Sequence, residues 1–282
     1  MNFGVTGTGG YLGSRVLDYL TKLGHTVHSF SRRDDPGDLH HPYSLEKSIS
    51  KDILSKLDVL IHCAYDFTLV RWDDIVRVNV EGTKRLFDDA HDSGVQRLVF
   101  ISTMSSFEGC KSRYGAAKFT VEQYLSRYAP VIIKPGLIHG RNAKGMVGAL
   151  RNVILSLPIV PVVGGSRILY LIHEKDLCEL IYRASSMEQN GTVEIVAANQ
   201  KGKSYREILQ LLAHGLNKKR IFIPIPYHFV YGLLAGSEKL GMHLGFRSDS
   251  LVSLYNQNER PDFSSLEGMK CSPSEFTGEE EG

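Results

Sequence analysis

The stretch Phe3-Gly4-Val5-Thr6-Gly7-Thr8-Gly9-Gly10-Tyr11-Leu12-Gly13 decides how the rest of the chain is read. Its first four residues form a short apolar strand, and its glycines form a turn. Beyond the turn, Leu12, Val16, Tyr19, Leu20 and Leu23 fall on one stripe at helical spacing, with Gly24 as the stop. Glycines between a strand and an amphipathic helix let backbone N–H groups approach a pyrophosphate at the positive end of that helix. The spacing is Gly7, Gly10, Gly13, because Leu12 stands where a G-x-G-x-x-G turn has its third glycine. A plain tight turn also carries glycines, but this position, directly after the first strand, favours a dinucleotide site.

Working outward, strand and helix patterns alternate. Residues 26–30, 58–64, 97–102 and 131–134 read as strands, and residues 75–91 and 114–128 as helices. This order predicts an α/β fold with a doubly wound parallel sheet. After Pro135 the pattern loosens into glycine- and proline-bearing connections such as residues 158–165. A helix over 175–184 and a strand over 193–197 follow. Ser204 with Glu207 three residues on is a capping box for a helix whose face holds Ile208, Leu209, Leu212 and Leu216. The expected division is a dinucleotide-binding domain over 1–200, which includes part of a smaller substrate lobe from about 136. A helical C-terminal lobe over 201–271 and a flexible acidic tail over 272–282 complete it.

Composition narrows the classes. Hydrophobic residues are 42% and charged residues 23% of the 282, which excludes wholesale disorder. Thirty-three basic against 31 acidic residues leave +2, with no nucleic-acid footprint. Cys63, Cys110, Cys178 and Cys271 form no Cys-x-x-Cys pair, which argues against a thiolate zinc site and a disulfide framework. The adjacent His40-His41 and the pair His25 and His28 lack companions at metal-ligand spacing, so no metal is expected. Residues 221–236 are the most hydrophobic later stretch, but Pro224, Pro226, His228 and Gly232 break them as a spanning helix. Within them, residues 227–231 read as second-lobe packing ahead of a lid or a membrane-surface helix. No basic-then-apolar leader precedes the first strand, so a soluble, cytoplasmic protein is expected.

Two further clusters carry chemistry. The second strand runs into Ser31-Arg32-Arg33, with Asp34 and Asp35 only beyond. Adjacent guanidinium groups accommodate a 2′-phosphate, so NADP(H) is favoured over NAD(H). Tyr114 and Lys118 lie four apart on one helix face. A phenol is idle near neutral pH unless its anion is stabilised, and an ammonium at that spacing would lower its pKa. Hydroxyls at Ser102, Thr103, Ser105 and Ser106 lie just before this helix, and any of them could hold a substrate oxygen.

Together these residues resemble the extended short-chain dehydrogenase/reductases, the NAD-dependent epimerase/dehydratase-like branch, with its Rossmann-type sheet. Thr6-Gly7-x-x-Gly10-x-x-Gly13 resembles the branch's T-G-x-x-G-x-x-G. Residues 58–64 resemble D-V-V-I-H-L-A, and residues 79–83 resemble N-V-x-G-T. Residues 102–109 are similar to S-S-x-x-x-Y-G, with Phe107 at the aromatic position. Tyr114 and Lys118 fall on Y-x-x-x-K, residues 134–140 on R-P-x-x-x-Y-G, and residues 172–177 on I-H-V-x-D-L. The resemblance implies Tyr114 as acid/base, Lys118 as its partner and ribose ligand, and Thr103 as the hydroxyl orienting substrate. It assigns the cofactor to Gly7, Gly10, Tyr11, Leu12, Gly13, Arg32, Arg33, Ala64, Asn79, Lys118 and Pro135; His173 and Asp176 would brace a loop and cap a helix.

Three departures matter. The segment after Arg33 is too short for a full crossover, which opens the adenine side. Leu169 stands where UDP-sugar epimerases have the arginine of R-D-Y-I-H-V, with Arg167 displaced by two. No substrate motif follows residue 200. The resemblance implies hydride transfer at a carbinol or carbonyl carbon, with a nucleotide sugar as the expected substrate and a homodimer admitted. A dissociable NADPH-dependent carbonyl reductase and a non-catalytic dinucleotide-binding scaffold are the alternatives. Neither nucleic acid nor membrane is expected as a partner.

Overall fold

The computed structural model describes residues 1–33, 37–188, 190–241, 246–258, 260–269 and 271–279. Asp34 and Asp35 behind the arginine pair, and Glu280 and Glu281 of the tail, lie outside the described residues. The first half contains β1 (Asn2–Thr6), α1 (Tyr11–Lys22), β2 (Thr26–Ser31), β3 (His40–Pro42), α2 (Lys51–Leu54) and β4 (Val59–His62). It continues with α3 (Trp72–Ile75), a π-helical turn (Val76–Val80), α4 (Glu81–Asp92), β5 (Arg97–Ile101), α5 (Arg113–Leu125) and β6 (Val131–Pro135). The second half adds β7 (Leu137–His139), α6 (Gly145–Ser156), β8 (Ile159–Val162), β9 (Ile168–Leu169), β10 (Leu171–His173), α7 (Glu174–Ser186) and β11 (Val193–Ala197). It closes with β12 (Lys203–Ser204), α8 (Tyr205–Gly215), β13 (Ile221–Pro224), α9 (Tyr227–Lys239), α10 (Ser248–Tyr255) and α11 (Ser264–Gly268).

Seven parallel strands form the central sheet in the order β11-β6-β5-β4-β1-β2-β3. The strand order reverses beside β1, the place where open α/β sheets bind ligands at the strand carboxyl ends. Near-continuous apolar strands suit burial on both faces. Val59, Ile61, Val99, Ile101, Val131 and Ile133 point to one face, against Val16 and Leu20 of α1 and Leu177, Leu180 and Ile181 of α7. Leu60, Leu98, Phe100 and Ile132 point to the other, against Leu86 and Phe87 of α4 and Ala117, Val121 and Leu125 of α5.

Between β2 and β3 the described part of residues 32–39 holds no helix, and β3 is cut to three residues. The shortened crossover expected from sequence is present. A third core joins α6, β8, β10, α8, Leu254 and Phe276, so the second lobe draws on chain from both sides of residue 200.

Two expectations need correction. Residues 158–165, read as a connection, contain β8, which pairs in parallel with β13. Val160 and Val162 are buried, and this alternation outweighs Pro158 before the strand and Pro161 within it. Residues 272–279, read as a frayed tail, are packed: Phe276 is 5% exposed. Glu275 bonds Lys203 at 2.8 Å, and the Ser274 N–H donates to Asp176 at 2.7 Å. In the stretch 227–231, Tyr227 and Val230 pack against Val163, Leu234 and Leu251, while Phe229 stays 68% exposed. Among the described residues no helix is long and apolar enough to cross a membrane.

Candidate active site

A cavity of about 880 Å³ opens at the carboxyl ends of the central strands. The glycine turn forms one wall, for reasons of space. Gly7 has φ +74°, and a Cβ there would come within 2.8 Å of the Ala64 backbone. A Cβ on Gly13 would overlap the Gly7 carbonyl. Gly10 caps α1 without a side-chain hydrogen bond, so no capping side chain occupies the first turn of the helix. A backbone cradle that any side chain would fill, at an uncapped helix N-terminus, fits the pyrophosphate of a dinucleotide.

Beside the cradle runs a buried polar chain. Burial holds the His62 imidazole neutral, with its pKa far below the usual histidine range. The Thr83 hydroxyl donates to the Asn79 carbonyl at 2.6 Å, so His62 Nε2–H must donate to Thr83, 3.0 Å away. Nδ1 therefore accepts from the Thr6 hydroxyl at 2.8 Å, and Thr6 Oγ1 accepts from the Ala64 N–H at 3.3 Å. The chain ties the strand leading into the glycine turn to the end of β4.

Most of the expected cofactor residues gather here. Gly7, Gly10, Tyr11, Leu12, Gly13, Arg32, Arg33, Ala64, Lys118 and Pro135 line the cavity. Asn79 is not among the lining residues. It is a buried member of the π-helical turn, where Oδ1 accepts from the Asp66 N–H at 2.7 Å and Nδ2 donates to the Asp66 carbonyl at 3.2 Å. It braces the loop after β4. The two arginines also differ. Arg32 is paired to Asp66 at 3.0 Å, whereas Arg33 reaches over the turn with its Cδ near Gly9.

Thr103, Tyr114 and Lys118 meet on the opposite wall. The start of α5 can lie close to the preceding loop because Gly115 leaves no Cβ to meet the Ser105 carbonyl. Thr103 and the Tyr114 phenol line the same cavity. Burial raises that phenol above the usual tyrosine range, Thr103 works against this, and the Glu122 charge adds to it. Tyr114 therefore stays protonated at neutral pH. In the cofactor-free protein the Lys118 ammonium donates to the Ile101 carbonyl at 2.7 Å and lies 4.5 Å from the Phe100 ring centroid. Burial pushes Lys118 itself down to about 8.

Of the alternative hydroxyls, Ser102 donates to the buried Glu122, which is also paired with Lys134 at 3.0 Å. Ser105 receives a hydrogen bond from Ser253 at 2.6 Å, and Ser106 is not among the residues lining the cavity. Of these hydroxyls, Thr103 is the one that acts to lower the Tyr114 phenol. His173 and Asp176 serve the fold: His173 Nδ1 accepts from the Lys175 N–H at 3.2 Å, and Asp176 accepts from Ser274. Cys63 lines the cavity, and burial pushes its thiol up to about 12.

The sequence reading missed four contributors. Tyr65 packs edge-on to Tyr114 with centroids 4.9 Å apart, and Phe67 lies 5.4 Å from it. Arg247 and Asp249 come from the second lobe, and both line the cavity. No local spacing signals any of the four.

Fold and site together define a dinucleotide-dependent oxidoreductase of the short-chain dehydrogenase/reductase type. The chain belongs to the NAD dependent epimerase/dehydratase family, whose model matches residues 4–197. It is 24% identical over 237 residues to a ceramide reductase of Caulobacter vibrioides, covering 79% of this chain and 73% of that one. It is 25% identical over 278 residues to a UDP-glucose 4-epimerase of Vibrio cholerae, covering 84% and 83%. The fold matches a Thermus thermophilus UDP-glucose 4-epimerase in complex with NAD at TM-score 0.74 and 19% identity, over 99% and 96% of the two chains.

Proposed function

We propose that the protein is an NADP(H)-dependent reductase of an apolar carbonyl compound that exchanges its cofactor between turnovers. The observation carrying this reading is that Thr103 and a protonated Tyr114 line one cavity with the glycine cradle. The nicotinamide, when bound, supplies the hydride. Tyr114 gives its proton to the carbonyl oxygen, and Thr103 orients that oxygen and stabilises the phenolate left behind. A phenol that burial keeps protonated suits the reducing direction. Lys118, one helical turn on, offers an ammonium to a ribose hydroxyl.

The substrate end supports an apolar ligand. Phe67, Leu69, Met146 and Phe246 line it. Its arginines are engaged with backbone: Arg113 donates to the Val70 carbonyl at 2.7 Å, and Arg247 to those of Phe67 and Leu69. Neither is set out to clamp a diphosphate. In this reading residues 1–200 carry the cofactor, and 201–271, with the chain from about 136, carry the substrate.

One observation favours the second reading, a nucleotide sugar. A groove of about 430 Å³ shares Gln257 with the main cavity and holds Ser166, Asn258 and Arg167, whose guanidinium lies 4.7 Å from the Tyr255 ring centroid.

The test is to purify the protein without added cofactor, denature it, identify any released dinucleotide by mass spectrometry, and assay carbonyl compounds with NADPH. An empty protein that oxidises NADPH with an apolar ketone or aldehyde, and a Tyr114→Phe variant that binds NADPH without turnover, are expected. Stoichiometric retained NAD with epimerisation of a UDP-sugar would overturn the proposal in favour of the second reading.

A further inference from the structure

The first turn of α5 presents three N–H groups that the helix itself cannot satisfy. Ser112 Oγ accepts from the Gly115 N–H at 3.1 Å. The other two are taken by a side chain 135 residues or more away along the chain: Asp249 Oδ1 accepts from the Arg113 N–H at 2.7 Å, and Oδ2 from the Tyr114 N–H at 3.1 Å. Tyr114 is thus held at its own backbone by a carboxylate of the second lobe. The arrangement is bidentate and charge-assisted, and its negative charge lies at the positive end of the helix.

Asp249 belongs to α10, and the rest of that helix and its lead-in grip the neighbouring parts of the site. Arg247 holds the carbonyls of Phe67 and Leu69, behind the aromatic wall. Ser253 donates to Ser105, whose own N–H donates to Thr103 Oγ1 at 3.2 Å. The α10 segment is in turn fixed to α9, because Glu238 accepts from both the N–H and the hydroxyl of Ser248 at 2.7 Å. The aromatic wall, the Thr103 loop and the start of α5 therefore converge on one short helix.

We propose that Asp249 is a positioning residue for Tyr114, which sets the phenol against Thr103 only when α10 is seated. The proposal rests on the assignment of Tyr114 as the proton donor. It deepens that reading by making the second lobe part of the proton-transfer geometry as well as of the substrate pocket.

The test compares Asp249→Ala and Asp249→Asn with the parent protein, using amide hydrogen exchange over residues 111–118, NADPH titration and steady-state kinetics. In Asp249→Ala, exchange at Arg113 and Tyr114 should rise about tenfold or more, while the amides of the following turns stay protected. Turnover should fall by about tenfold or more at little change in KM, with NADPH affinity within about twofold. Asp249→Asn keeps one acceptor oxygen and should recover part of both losses. It also serves as the readable variant if the alanine protein fails to fold. Unchanged exchange at the two amides, or parental turnover in Asp249→Ala, would overturn the proposal. The two assignments separate cleanly: parental turnover in Tyr114→Phe would remove the proton-donor reading, while exchange alone decides whether Asp249 holds the helix start.

Discussion

Two residues on the cofactor side carry different burdens although the sequence places them side by side. Arg32 is already neutralised by Asp66, while Arg33 stands over the glycine turn without an acidic partner among the described residues. Arg33→Ala should weaken NADPH by about tenfold and NADH by much less, the value of one charged contact to a phosphate. Arg32→Ala should have the smaller effect. Fluorescence titration with both nucleotides checks the pair, and equal losses for NADPH and NADH would show that Arg33 does not read the phosphate.

Lys118 makes a pH prediction in the cofactor-free protein. Its pKa falls from 10.5 in the unfolded chain to about 8 in the fold. Between these values the unfolded chain binds more protons at Lys118, so this group's contribution to stability should rise as pH increases from about 8 toward 10. It is opposed from about pH 9 by the buried Cys63 and Cys178 thiols, both pushed up to about 12. Above 10 the buried tyrosines, protonated in the fold and ionising when unfolded, reverse the trend. Lys118→Met should flatten the rise, as read from urea unfolding midpoints across this range. A rise of parental slope in the variant would remove Lys118 as its source.

At the scale of elements, the strand–turn–helix unit is rigid because two glycines leave no room. Gly13→Ala should force α1 away from Gly7 and cost about 1–3 kcal/mol, with weaker binding of both nucleotides. Thermal melts and titrations would show this, and parental values for both would mean that the turn tolerates a methyl group. The same unit shows why so much of the first 200 residues was legible. Alternation with period 2 and stripes with period 3.6 are local signals, and β11 over 193–197 coincides with the expected strand. The Ser204 cap was equally local: its Oγ accepts from the Glu207 N–H at 3.2 Å. Asp249 was illegible for the opposite reason, since its partners lie at positions 113 and 114 and no spacing records that. Asn79 was located by its motif, but its bonds to the Asp66 backbone were not. Whether a side chain reaches a cavity or props the loop beside it depends on which way the helix turns, and the π-helical turn that buries it left no mark in the pattern.

For the whole molecule, residues 276–278 pack into the second lobe. Phe276 enters the third core beside Leu209 and Leu212, and a Cβ on Gly278 would overlap the Leu211 carbonyl. Phe276→Ala should destabilise the protein by about 3 kcal/mol. Calorimetry that resolved the lobes should show the loss in the second. An unaltered melting profile would mean that the packed end contributes nothing to stability.

The three-residue β3 has a consequence for association between molecules. It is the outer strand of the central sheet on that side, and it ends at Pro42, which has no N–H to offer. The rings of His40 and His41 are turned inward, onto Ser29 Oγ and His28 Nδ1 at 2.9 Å. An incoming strand would find almost no ladder to extend there. Growth of the sheet from one molecule into the next is thus disfavoured along this border, which leaves β11 as the edge of the central sheet on the other side.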